Sequence, residues 1–224
     1  MVTLDFDHLE SIVSPARLAP YLREARGSKE LAASLYLWNA DVGVALWQIV
    51  AHVEIAVRNA MARELDSLCR QQRPRALWFN HPTWFTRRQR AAIRDAKAAV
   101  RADGLTEGRV VAQLMFGFWV SMLDPGHEHI LWVPGLRLAF PRSSGERRPV
   151  RARLGAVNDL RNDIAHHNRM WKRDIAKAET DLLGAAHWVD PTLADWLAAT
   201  STVRQVLARR PLLPPSVRWA AGGG

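Results

Sequence analysis

The sequence predicts an all-α protein built as one up-and-down helical bundle. Three observations predict it. Apolar residues recur at three- and four-residue spacing, as in Leu46, Ile49, Val50, Val53, Val57, Ala60, Met61, Leu65 and Leu68, the period of a helix with one buried face. Helix start and stop signals separate the periodic stretches: Ser14-Pro15, Gly27-Ser28, Thr86 with Gln89, and Asp190-Pro191. No stretch alternates apolar and polar residues for long enough to form a sheet.

Taken in order, residues 3–13 and 15–26 read as two short helices laid as an arm over the bundle. Ser14 is the N-cap of the second, Pro15 its first residue and Gly27 its stop. Ser28 caps a long helix from Lys29 to about Arg70, with Gly43 its one weak point. Residues 71–85 read as a loop. There Trp84-Phe85 is expected to plug the end of the bundle, with stacking on bases as the alternative. The helix Arg87–Arg101 carries Arg87, Arg88, Arg90, Arg94, Lys97 and Arg101. A solvated face and a phosphate track are equal readings of it. After Gly104, Thr106 starts a buried helix through Leu123. Residues 124–148 read as a loop with a short helix. His127-Glu128-His129 lies there, but no further ligand follows at a zinc spacing, and no metal site is expected. A helix from Pro149 to about Asn168 follows, then one from about Lys172 to Val189, then one from Pro191 to about Arg209. Residues 1–210 thus form a single domain and 211–224 a flexible tail.

Composition narrows the class. One cysteine, Cys69, excludes an internal disulfide framework and fits a reducing compartment. Met1-Val2-Thr3-Leu4-Asp5 lacks the layout of a secretory signal, and the apolar run Val110–Leu123 is too short to cross a membrane. The expectation is a cytoplasmic protein without a membrane partner. Net charge is +9, nearly all of it arginine, since the only lysines are Lys29, Lys97, Lys172 and Lys177. Arginine forks onto phosphate, so the balance favours RNA.

The chemistry concentrates in Leu160-Arg161-Asn162-Asp163-Ile164-Ala165-His166-His167-Asn168-Arg169-Met170-Trp171. Leu154, Val157, Leu160 and Ile164 form the apolar stripe of that helix. On an ideal wheel Asn162 and His166 fall within about 40° of each other, nearly opposite Ile164. With 27 arginines and eight histidines in the chain, about one Arg-x4-His pair arises by chance. The spacing alone therefore says little.

The whole string says more. Arg161-Asn162-Asp163-Ile164-Ala165-His166 resembles the R-(polar)-x3-H signature of the HEPN superfamily, and the run on to Asp174 resembles its Abi-like (AbiD/AbiF) branch. Glu54-Ile55-Ala56-Val57-Arg58-Asn59 is similar to the E-x3-R-N element of that branch. Phe116-Gly117-Phe118-Trp119-Val120-Ser121-Met122-Leu123 is similar to its FGFWxxLL stretch, and Leu131-Trp132 and Phe140-Pro141 fall where it has LW and FP. The matches run in order from about Leu35 to Asp190. One departure stands out: the residue after the arginine, Asn162, does not titrate.

The resemblance implies a HEPN-like bundle with extra N-terminal helices, and a metal-independent endoribonuclease of anti-phage defence, of abortive-infection or toxin–antitoxin type. It implies a homodimer whose two motif helices face each other across a groove, with no cofactor. An antitoxin protein or a noncoding RNA is a candidate restraining partner. In such a site the RNA 2′-OH is the nucleophile. His166 serves as general base or acid, Arg161 clamps the phosphorane oxygens, and Asn162 positions His166 or a phosphate oxygen. His167 is a candidate second proton carrier. Glu54 would orient an arginine or histidine, Arg58 and Arg169 would add positive charge, and Asn59 would bond across to the motif helix. Without the resemblance, Glu54 and Arg58 read as an i,i+4 surface ion pair. The alternative function is a non-catalytic RNA-binding or regulatory helical protein.

Overall fold

A computed structural model describes residues 5–102 and 104–212. Its helices are α1 (Phe6–Val13), α2 (Pro15–Glu24), α3 (Lys29–Gln72), α4 (Arg87–Ala99), α5 (Glu107–Gln113), α6 (Phe116–Ser121), α7 (Arg147–Ala165), α8 (Ile175–Val189), α9 (Pro191–Thr200) and α10 (Val203–Ala208). Short 3₁₀ turns and one π turn fill the connections, and no strand occurs among the described residues. The fold is all-α. The expected tail from residue 213 onward lies outside the described residues.

Everything is built on α3. Its 44 residues span about 66 Å at 1.5 Å per residue. Ser28 caps it by accepting from the Leu31 N–H. The stripe Leu46, Ile49, Val50, Val53, Val57, Ala60, Met61, Leu65 and Leu68 is buried throughout, against α2, α7, α8 and α10. The helix runs unbroken through Gly43, where the last turn of α7 lies over it: a Cβ there would stand 3.7 Å from Ile164 Cγ2. An 18-residue window of α3, with mean hydropathy 1.4, has the length and composition to cross a membrane. Here α3 is the axis of the bundle, with Leu35, Leu46, Val50, Val53 and Val57 fully enclosed.

The arm of α1 and α2 packs on α3. Tyr21 meets Tyr36 edge-on at 5.2 Å and Trp171 at 4.4 Å, tying the arm to the chain beyond α7. Trp78, Phe79, Trp84 and Phe85 are all buried, so the 71–85 segment plugs the bundle and offers no rings to bases. The Thr86–Gln89 capping box forms in both directions. The basic helix α4 packs on α5 and α6, and Arg87, Arg88, Arg90 and Arg94 are exposed.

Four expectations need correction. The single helix from Thr106 to Leu123 is two, broken at Leu114 and Met115, both extended. Phe116, Phe118 and Trp119, all within α6, are buried, so this short helix is enclosed on more than one face. Trp119 Nε1 secures the break by donating to the Leu114 carbonyl at 3.3 Å. The last helix divides at Ser201-Thr202, where Thr200 Oγ1 donates back to the Trp196 carbonyl at 2.9 Å and competes with the helical ladder. The helix expected from Lys172 starts at Ile175, because Asp174 caps it by accepting from the Lys177 N–H at 2.9 Å. The motif helix starts at Arg147 and stops at Ala165, short of Asn168.

Two side chains of His127-Glu128-His129 are engaged within the fold, and His129 is exposed. His127 is buried, with Nε2 3.1 Å from the Trp84 carbonyl. Glu128 accepts from the buried Arg147, whose Nη1 also reaches the Leu123 carbonyl at 2.5 Å. No cluster of three metal-ligating side chains occurs among the described residues.

Candidate active site at the end of helix α7

Helix α7 runs antiparallel to α3, with Ile164 over Gly43 and Arg161 over Trp47 and Glu54. Arg161 Nε stands 3.6 Å from Glu54 Oε2, an ion pair too long to be a hydrogen bond. The guanidinium carbon lies 5.8 Å from the centre of the Trp47 ring, within reach of a cation–π attraction. Arg161 Nη1 also donates weakly to Asn162 Oδ1 at 3.4 Å. The partner of Glu54 is therefore Arg161 across the helix pair, and no Glu54–Arg58 ion pair forms among the described residues. Arg58 sits one turn further along α3. Its Nε and that of Arg161 are both enclosed without a hydrogen-bond acceptor. Such a group costs about 1–3 kcal/mol, and native proteins keep few of them.

The end of α7 is shaped by its own C-cap. His166 is the capping residue and His167 takes a left-handed φ of 53°. The His167 N–H reaches the Ile164 carbonyl at 2.9 Å, and the Asn168 N–H reaches the Asp163 carbonyl at 2.8 Å. This pair of bonds is a Schellman motif, with histidine where glycine is the usual choice. The histidine pair thus leaves the helix instead of continuing its wheel, because a left-handed residue cannot extend an α-helix.

Five side chains hold this end. Asp163 accepts from Asn168 Nδ2 at 2.7 Å and from Arg173 Nε at 2.6 Å. Burial alone would push its carboxyl up; the bonds from Asn168 and Arg173, with the charges of Arg173 and His166, outweigh that and hold it below its ordinary value. Asn39, buried in α3, accepts from the Met170 N–H at 2.7 Å and donates to the Asn168 carbonyl at 3.3 Å. Arg17 of α2 donates to the His167 carbonyl.

Arg161, Asn162 and Glu54 therefore come together, beside Trp47. His166, His167 and Arg169 are exposed on the turn beyond them, and Asn59 is exposed on α3. Asn162 meets His166 through the backbone, its carbonyl accepting the His166 N–H at 2.9 Å. The residues that fix the turn were not expected. Asn39 had a signal: a polar residue at a stripe position of α3, between Leu35 and Val42. Asp163 and Arg17 had none beyond their charge. Chemically, the arrangement offers a held guanidinium with imidazoles close by in sequence, on a turn whose backbone is fixed. No family model matches the chain, and no curated protein or solved structure does either.

Proposed function

We propose that this chain is a metal-independent endoribonuclease of the HEPN type, acting in bacterial anti-phage defence as a homodimer in the cytoplasm. The observation that carries the reading is the meeting of Glu54 with Arg161 at 3.6 Å. The two stretches that carry the family resemblance are far apart in sequence and adjacent in the fold, and their charged residues pair.

In this reading Arg161 is the phosphate clamp and Glu54 its orienting partner. Arginine stays protonated and offers a planar fork, which suits the equatorial oxygens of a phosphorane. The 2′-OH attacks phosphorus while one imidazole takes its proton, and the bond to O5′ breaks as another imidazole returns a proton to it. The products are a 2′,3′-cyclic phosphate and a 5′-hydroxyl. Two proton carriers are needed; His166 of each protomer supplies one, with His167 as the second candidate within a chain. A twofold mate would cover apolar side chains that α3 exposes outside its contacts within the chain: Leu37 and Ile55 are 46% and 44% exposed.

One observation favours a second reading, a non-catalytic RNA-binding protein. His166 lies past the last helical turn and makes no side-chain hydrogen bond among the described residues. Incubation with total RNA in EDTA separates the two. The nuclease reading expects cleavage by the wild type and a loss of at least about a hundredfold in Arg161→Ala and His166→Ala. RNA bound but left intact favours the second reading. Cleavage unchanged in both variants removes the assigned site.

A further inference from the structure

A cleft of about 760 Å³ opens between α2, the first half of α3 and the end of α7. Its size suits a ligand of nucleotide dimensions. Its walls are unusual in three respects. They present two accessible rings, Tyr36 and Trp47, with Tyr21 buried behind them, among the aliphatic Val13, Val44, Ile164 and Met170. They hold no aspartate or glutamate, while Arg17 and His167 stand among them. They also include the exposed amide of Gln48, which makes no hydrogen bond within the chain among the described residues. Asn39, by contrast, is fully engaged in pinning the turn.

From these walls we infer that the cleft takes one unstacked nucleotide of a single-stranded RNA, next to the phosphate that Arg161 clamps. The inference rests on the nuclease reading above and adds where the strand lies. The rings of Tyr36 and Trp47 accept the face of any base, and the aliphatic side chains between them add apolar contact to it. A cation finds no acidic partner here. Arg17 gives one donor to the His167 carbonyl and has others left for a phosphate oxygen. Gln48 offers both a donor and an acceptor to a base edge, which gives the cleft a means of preferring some bases. Trp47 joins the two places: it lines the cleft and lies under the Arg161 guanidinium at 5.8 Å. A base against Trp47 therefore brings its own phosphate toward Arg161.

The test uses fluorescein-labelled RNA octamers of A, C, G and U with 2′-O-methyl riboses, which cannot be cut by 2′-OH attack. Binding is read by anisotropy on the full chain, and folding by far-UV circular dichroism. Wild type should bind the octamers with unequal affinities. Tyr36→Ala, and Ala40→Trp, which fills the cleft from an exposed wall position, should weaken binding about ten- to hundredfold. Tyr36→Phe should bind as wild type does, and Gln48→Ala should narrow the spread among the four bases. If Tyr36→Ala and Ala40→Trp bind as wild type while unmodified RNA is still cleaved, the cleft inference fails and the nuclease reading stands. Wild type that binds through the cleft but never cuts leaves the cleft and removes the nuclease. No binding and no cleavage overturns both. Ala40→Trp that abolishes self-association and leaves RNA binding intact assigns the cleft to a second copy and overturns the inference.

Discussion

Glu54 and Arg161 face each other on neighbouring helices, both about one-fifth exposed. An exposed pair contributes about 1 kcal/mol or less; this one is mostly buried, and breaking it leaves the enclosed Arg161 without an anion. In the proposed nuclease its use is to orient the Arg161 guanidinium. Glu54→Gln, which keeps the side chain's shape, should lower the urea midpoint, leave the chain folded by far-UV circular dichroism and lower RNA cleavage about tenfold or more. Equal activity in that variant would separate the pair from catalysis. His167 presents the opposite balance. Its left-handed backbone is a cost that glycine would remove, and His167→Gly should raise stability by about 0.5–1 kcal/mol by chemical denaturation. A fall in cleavage with that gain would show that the imidazole is kept for chemistry. The sequence made Arg161, Glu54 and both histidines visible as chemistry-bearing residues. It did not reveal the left-handed turn, because histidine at that position carries no composition signal as glycine would.

At the scale of the element, the end of α7 is fixed by bonds from three other parts of the chain: Asn39, Arg17 and Arg173. Asp163 is the one acid among them. Its carboxyl is held below its ordinary value, so its contribution is complete above the unfolded pKa, near about 3.9, and is lost as pH falls through the lower folded value. Urea denaturation of wild type and Asp163→Asn at several pH values should show the wild type more stable near neutrality. The difference should shrink only below about pH 4. A difference that is constant with pH would mean that the charge plays no part. Periodicity and caps located α2, α3, α4 and the core of α7 well, because those helices follow their local signals. The breaks at Leu114 and Ser201 were hidden, since each is decided by packing and by side-chain bonds to the backbone that no local pattern displays.

For the whole molecule, α3 is both the axis of the bundle and the bearer of an unpartnered apolar face. A long helix that buries one stripe and exposes Leu37 and Ile55 outside the cleft has more apolar surface than the bundle covers. The proposed twofold mate would cover it and bring two copies of the α7 turn to one phosphate. Ile55→Asp, at a site already 44% exposed, should leave the melting temperature of the fold within a few degrees while shifting sedimentation from dimer to monomer and abolishing cleavage. A chain that is monomeric as wild type and still cuts RNA would rule out the composite site. The all-α class was legible from the period of the apolar residues alone. The exposed face was not, because a helical stripe in sequence does not say which of its neighbours the fold will supply.

The most direct measurement is the mass of the RNA ends released in EDTA by the wild type and by Arg161→Ala. The expected fragments end in a 2′,3′-cyclic phosphate and begin with a 5′-hydroxyl, abundant for the wild type and nearly absent for the variant. Fragments with 5′-phosphates and 3′-hydroxyls, or cyclic-phosphate ends formed equally well by the variant, would contradict the proposed mechanism.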